Sequence, residues 1–167
     1  YEIFKDATNF KTIGTVENTY SYIGFKFGSW NKDKEEVEMD TSKVIQNKAL
    51  RQAMAYAFDA DAVGQRFFSG LRFRANTLIP SLFKSVHASD LPGFTYNPEK
   101  SKQILADAGF VDKDGDGFVE DPNGKPFTLK FLARSSSDIA EPLWSYLVDS
   151  WKQVGINVEL LDGRLYD

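Results

Sequence analysis

The sequence predicts an α/β fold, a mixed sheet flanked by helices that ends in a βαβ unit. Three segments predict it. Pro126–Ala133 (PFTLKFLA) and Ile156–Leu161 (INVELL) are strand-like runs. Between them Ala140, Leu143, Trp144, Leu147, Val148, Trp151 and Val154 form a broad apolar stripe at helical spacing, stopped by Gly155. Strand, helix and strand at this length should set the strands parallel with a right-handed crossover. The second segment, Tyr96–Gly117 (YNPEKSKQILADAGFVDKDGDG), spells a helix start, a helix, a stop and an acidic turn. The third, Asn47–Phe58, puts Leu50, Ala53, Met54 and Ala57 on one helical face.

In chain order, Tyr1–Gly14 has no start signal and no cap, as the middle of a longer chain would. Thr19–Gly28 alternates: Tyr20, Tyr22 and Gly24 on one face, Ser21, Ile23, Phe25 and Phe27 on the other. That predicts a strand with rings on both faces. Trp30–Gln46 is charged and weakly periodic, a surface loop or hairpin. Asp59 or Asp61 suits the cap of a second helix that carries Val63, Phe67 and Phe68 and stops at Gly70. Leu71–Asn97 has little pattern. A stretch that long is uncommon in a compact domain unless it packs over a functional surface. Asn97 is a good N-cap and Pro98 suits the first helical position. Ile104, Leu105 and Ala108 give a short stripe, and Gly109 can end the helix left-handed. Ser135, Ser136 and Ser137 before Asp138 offer several N-caps for the last helix.

Composition narrows the function. A chain of 167 residues, 42% hydrophobic and 26% charged, is expected to form one soluble domain over residues 1–167. A formal charge of −4 argues against nucleic acid, which needs clustered cations. No apolar run nears the roughly 20 residues that span a bilayer, and no signal peptide is visible. There is no cysteine, and His87 is the only histidine. Disulfides, thiolate chemistry and histidine-rich metal sites are excluded, and a His-based triad has little to draw on. Aromatics make up 14% of the chain, enough for some to line a binding surface as well as a core.

Catalysis has thin support. The paired carboxylates, Glu35 with Glu36 and Asp59 with Asp61, sit in polar stretches, and nothing there promises the burial a general acid needs. Ser135–Ser137 lack nucleophile-elbow glycines and a nearby histidine, so capping is the simpler role. No phosphate loop appears. Asp112, Asp114, Asp116 and Gly117 match positions one, three, five and six of a calcium loop, with Val119 at eight and Glu120 at nine. Position twelve is Asn123 where a bidentate Glu should close the cage, and Pro122, Asn123, Gly124 and Pro126 replace the exiting helix. A solvated Asp/Gly bend is therefore expected, with no metal and no cofactor. The competing reading is a calcium-binding interaction module centred on Asp112–Gly117. Two features suit a polar ligand. One is the Tyr20/Tyr22 face, which competes with simple packing at a core edge. The other is the helix start at Ser136, Ser137 and Asp138, where N–H groups and hydroxyls can hold carbonyl or carboxylate oxygens.

Several segments together resemble one family. NKALRQAMAYAFDADAV (Asn47–Val63) is similar to a helix pair of the extracellular peptide-binding proteins of ATP-binding-cassette importers, solute-binding family 5. YIGFK (Tyr22–Lys26) resembles the strand before it, and GLRFRANTLIP (Gly70–Pro80) the loop after it. YNPEKSKQILADAGF (Tyr96–Phe110), DKDGDGFVEDPNGKPFTL (Asp112–Leu129) and WKQVGINVELL (Trp151–Leu161) resemble the next helix, the acidic turn with its strand, and the final strand. The charged insert at 31–46 looks most like the oligopeptide-binding branch from Gram-positive bacteria. The resemblance implies one lobe of a type II periplasmic-binding-protein-like fold. It implies a second-lobe fragment of a longer two-lobed protein, lipid-anchored on the extracellular face. It implies a non-catalytic role: capturing oligopeptides between this lobe and a missing first lobe, for delivery to permease subunits. Tyr20, Tyr22 and the Ser136–Ala140 helix start resemble parts that face the cleft. A histidine that approaches the ligand in some members would fall at Ala140, so side-chain specificity does not carry over.

Overall fold

A computed structural model describes residues 3–11, 13–133 and 137–162, the side chain of Asp162 excepted. The chain forms two compact units: Tyr1–Ile23 with Asp59–Phe94, and Gly24–Phe58 with Thr95–Asp167.

The second unit holds most of the regular structure. Its hairpin pairs β1 (Gly28–Asn31) with β2 (Glu36–Met39), antiparallel, with Trp30 opposite Val37. Asn31 Oδ1 accepts the Asp33 and Lys34 N–H groups and sets the turn. A 3-10 turn, Val44–Gln46, leads into α1 (Lys48–Tyr56). Asn47 caps α1 by accepting from Ala49 N at 2.9 Å. Gln46 Nε2 donates to the Phe27 and Asp40 carbonyls, and one Arg51 nitrogen donates to Ile45 and Gln46 at 2.8 Å each. The Arg51 guanidinium also lies 4.9 Å from the centre of the Phe27 ring. These two side chains bind the foot of the hairpin to α1.

α3 (Pro98–Asp107) starts as predicted, with Asn97 Oδ1 accepting from Lys100 N at 2.9 Å and Pro98 in the first turn. Gly109 follows with φ 84°, the left-handed stop that glycine tolerates without a Cβ clash. β3 (Leu129–Ala133), α4 (Ala140–Lys152) and β4 (Val158–Asp162) form the expected βαβ unit, β3 and β4 pairing parallel with Leu129 opposite Val158. Phe131 of β3 meets Trp144 and Trp151 of α4 edge-on at 5.8 and 5.3 Å. Leu50, Ala53, Leu105, Phe110, Leu147, Trp151, Ile156 and Val158 make the core of this unit.

The first unit is built on α2 (Ala60–Phe68). Asp59 caps it through Ala62 N at 2.9 Å, and Ser69 and Gly70 end it at φ 52° and 74°. Gly64 lies so close to the Arg72 carbonyl that a Cβ there would collide. The Arg72 guanidinium sits 3.9 Å over the Phe68 ring, and Arg74 pairs with Asp61 at 3.4 Å and donates to the Phe94 carbonyl. Leu71–Asn97 contains turns and no helix or strand before α3, as its composition predicts.

Three expectations need correction. Among the described residues there is no single mixed sheet, but two two-stranded sheets, one antiparallel and one parallel. Thr19–Phe27 is not a strand; the ladder begins at Gly28. Alternation decides which side chains share a face, but a strand also needs a neighbour to take its N–H and C=O groups. Finally, α4 is not capped by Ser137 or by Asp138, while Ser135 and Ser136 lie outside the described residues. Its N-cap is Ile139, with no side-chain cap, and Ala140 N donates to the Ser137 carbonyl at 2.9 Å.

Candidate ligand-facing residues and the acidic turn

Tyr20 and Tyr22 lie two residues apart in the first unit, and their rings come together at 6.1 Å with a 48° tilt. Both are exposed, Tyr20 by 45% and Tyr22 by 78%. Two solvated rings with hydroxyl tips form a small platform that can stack on a flat group and hydrogen-bond at its rim.

The helix start belongs to the second unit. Ser136 lies outside the described residues. Ser137 and Asp138 are exposed, whereas Ala140 is buried, its side chain spent on the core. The first turn of α4 also holds Glu141 and Pro142. A carboxylate at a helix N-terminus competes with an anionic ligand, and Pro142 has no N–H to give. This end can offer the Ser137 hydroxyl and the Asp138 carboxylate, a pattern that suits an N–H or ammonium donor better than a carboxylate.

The acidic turn is ordered by its own carboxylates. Asp112 accepts from Gly115 N at 2.7 Å and from Gly117 N at 3.0 Å. Asp114 accepts from Asp116 N at 3.1 Å, and Asp116 from Phe118 N at 2.7 Å. Glu120, buried, accepts from Lys113 N at 2.8 Å. A bridge between Val111 and Glu120 closes the loop, and Val119 N donates to the Gly155 carbonyl at 2.8 Å. Next to it, Asp121 accepts from Asn123 N and Lys125 N. The Lys125 and Asn123 amides hold the Asp121 carboxyl below its usual value. One oxygen each of Asp112, Asp114 and Asp116 lies within 4.8 Å of the others, all exposed. The same three carboxylates that could hold a cation accept the backbone amides that fold the loop. A cavity of about 160 Å³ beside it, lined by Asp116, Phe118, Glu120, Phe127, Thr128 and Asn157, is too small for a peptide.

Calcium therefore separates the two readings of this turn. Added to the millimolar range, it is expected to leave the melting temperature unchanged. A tight site would raise it by about 5 °C or more at ~100 times Kd, since binding to the native state stabilises by mass action.

Gln46, Arg51 and Ser101, whose polar groups bond to backbone of the second unit, are not singled out among the sequence expectations, and Glu120, matched to position nine of a calcium loop, instead accepts the Lys113 amide. For Ser101 a signal exists: it lies one turn before Leu105, on the buried face of α3.

The family model for bacterial extracellular solute-binding proteins, family 5 Middle, matches residues 1–164. The oligopeptide-binding protein OppA of Lactococcus lactis subsp. lactis is 27% identical over the whole chain, which covers 28% of that protein. AppA of Bacillus subtilis, also an oligopeptide-binding protein, is 26% identical over 95% of the chain, which covers 27% of it. Lactococcal OppA, solved with an endogenous peptide in the closed conformation, is similar over 83% of this chain and 26% of its own, with a TM-score of 0.75 at 27% identity. The chain thus spans little more than a quarter of the length of these relatives. On the match over 164 residues the chain belongs to the bacterial extracellular solute-binding proteins of family 5, which are non-catalytic.

Proposed function

We propose that this chain is part of the second lobe of an oligopeptide-binding protein, the extracellular substrate-binding component of an ATP-binding-cassette importer. The observation that supports it most is the exposed Tyr20–Tyr22 pair on a segment that pairs with no strand among the described residues. No strand among the described residues takes up the backbone donors and acceptors of that segment. A peptide can pair with them as an added strand does while the rings cover its side chains. Ser136, Ser137, Asp138 and Ala140, at the start of α4, are proposed as further ligand-facing residues on the family resemblance, and Asp138 suits a cationic group. Closure of two lobes buries the peptide, and the closed form is presented to the permease subunits. The full protein is lipid-anchored on the outer face of the membrane. This lobe needs no metal or cofactor for the task.

Calorimetry of the longer natural polypeptide with mixed-sequence oligopeptides tests this. Peptide binding is expected, and replacing Tyr20 and Tyr22 together with alanine should weaken it about tenfold or more, as loss of paired aromatic anchors does. Absence of peptide binding, or turnover of the peptide by the purified protein, overturns the proposal.

A further inference from the structure

We infer that the surface formed by residues 71–94 is an interface, covered in the full-length protein by polypeptide of the same protein outside residues 1–167. The inference rests on the proposal that the chain is part of a longer binding protein, and it adds which face meets the remainder.

The first unit has almost no core. Val63 is its only buried large apolar side chain among the described residues; every other buried one belongs to the second unit. Yet the 71–94 stretch is rich in large apolar groups that face solvent. Phe73 is 66% exposed, Leu78 70%, and Leu71, Leu82, Phe83 and Val86 are exposed as well. A segment ordered by turns gains too little from one buried valine to offset the entropy of holding it. Scattered apolar residues are ordinary on a surface, but this many in one short stretch mark a contact site.

Charge narrows the occupant. From Ala62 to Ser89 the chain carries Arg66, Arg72, Arg74 and Lys84 and no carboxylate. Arg74 is matched by Asp61, whereas Arg72 and Lys84 stand exposed among the apolar groups. The surface that fits is apolar at its centre and carries Asp or Glu at its rim. Relatives that match this chain from end to end are more than three times as long, so ample chain exists in them to supply such a surface. An assembled interface of this kind buries its apolar centre and leaves its charges at the edge.

Hydrogen exchange compares the 167-residue chain with the longer natural polypeptide. In the longer form, amides of residues 71–94 are expected to exchange at least about a hundredfold more slowly, with little change in α1, α3 and α4. Leu78→Glu should lower the melting temperature of the longer form and leave that of the 167-residue chain unchanged. Lys84→Glu should do the same to a smaller degree. If the longer form leaves 71–94 as exposed as before, the inference is wrong. It is equally wrong if protection appears in the 167-residue chain as its concentration rises, the mark of a second copy. Protection gained only with phosphatidylglycerol vesicles would assign the surface to a membrane instead. A longer polypeptide that protects 71–94 but binds no peptide sinks the transport role alone. A reading frame without flanking sequence ends both.

Discussion

Replacing Trp151 with alanine is expected to cost about 4 kcal/mol in unfolding free energy, the range for removing a large buried aromatic. Trp151 is 2% exposed and meets Phe131 of β3 edge-on at 5.3 Å. Its indole N–H donates to the Met54 carbonyl at 3.1 Å. That carbonyl lies in the last turn of α1, where the helix leaves acceptors without a donor of its own. One side chain therefore fills the space between helix and sheet and satisfies the end of another helix. Trp151→Phe separates the two roles. It keeps most of the apolar contact, loses the donor and should cost about 1–2 kcal/mol. Urea denaturation followed by far-ultraviolet dichroism gives both values. If the alanine variant lost less than about 1 kcal/mol, Trp151 would not be the centre of this core.

Helix boundaries were legible because their signals are local. Asp59 and Asn97 each accept the amide that an N-cap should, and Gly109 and Gly155 take the left-handed conformation that ends a helix. The βαβ unit was legible because its apolar period changes from two to 3.6 and back. Thr19–Phe27 shows where that logic stops. Its alternation correctly brings Tyr20 and Tyr22 side by side, but pairing depends on a neighbour that no local pattern encodes. Ser137 and Asp138 before α4 misled for a related reason. A good capping residue must also stand at the boundary, and here the chain turns one residue after Asp138, at Ile139.

The candidate site was legible in part. The ring pair follows from spacing alone, and the acidic turn follows from Asp and Gly placement. The burial of Ala140 was not foreseen, since it depends on what packs against the first turn of α4. Gln46 and Arg51 stayed hidden because a long polar side chain that bonds to distant carbonyls looks, in sequence, like any solvated one. The proposal that Tyr20 and Tyr22 face a ligand comes from family resemblance and not from periodicity.

Ser101→Leu is expected to cost about 3 kcal/mol, the sum of overpacking and a lost hydrogen bond. Ser101 is fully buried on α3, and its hydroxyl donates to the Ala53 carbonyl of α1 at 2.8 Å. Ala53 is fully buried too. Two small residues face each other, so the helices approach closely, and there is no room for two more heavy atoms. The pair is fastened again at one end, where Asn97 N donates to the Tyr56 carbonyl and Lys100 Nζ to the Tyr56 hydroxyl, each at 2.8 Å. A leucine must therefore push against helices that are held together, rather than slide them apart freely. Ser101→Ala is the control. The Ala53 carbonyl still receives the Ala57 N–H at 3.0 Å, so no buried acceptor is stranded, and the loss should be about 1 kcal/mol. The order of the two variants decides the matter. Equal losses would mean that the hydroxyl, and not the closeness of the backbones, is what the position requires; a larger loss for alanine would contradict the packing outright.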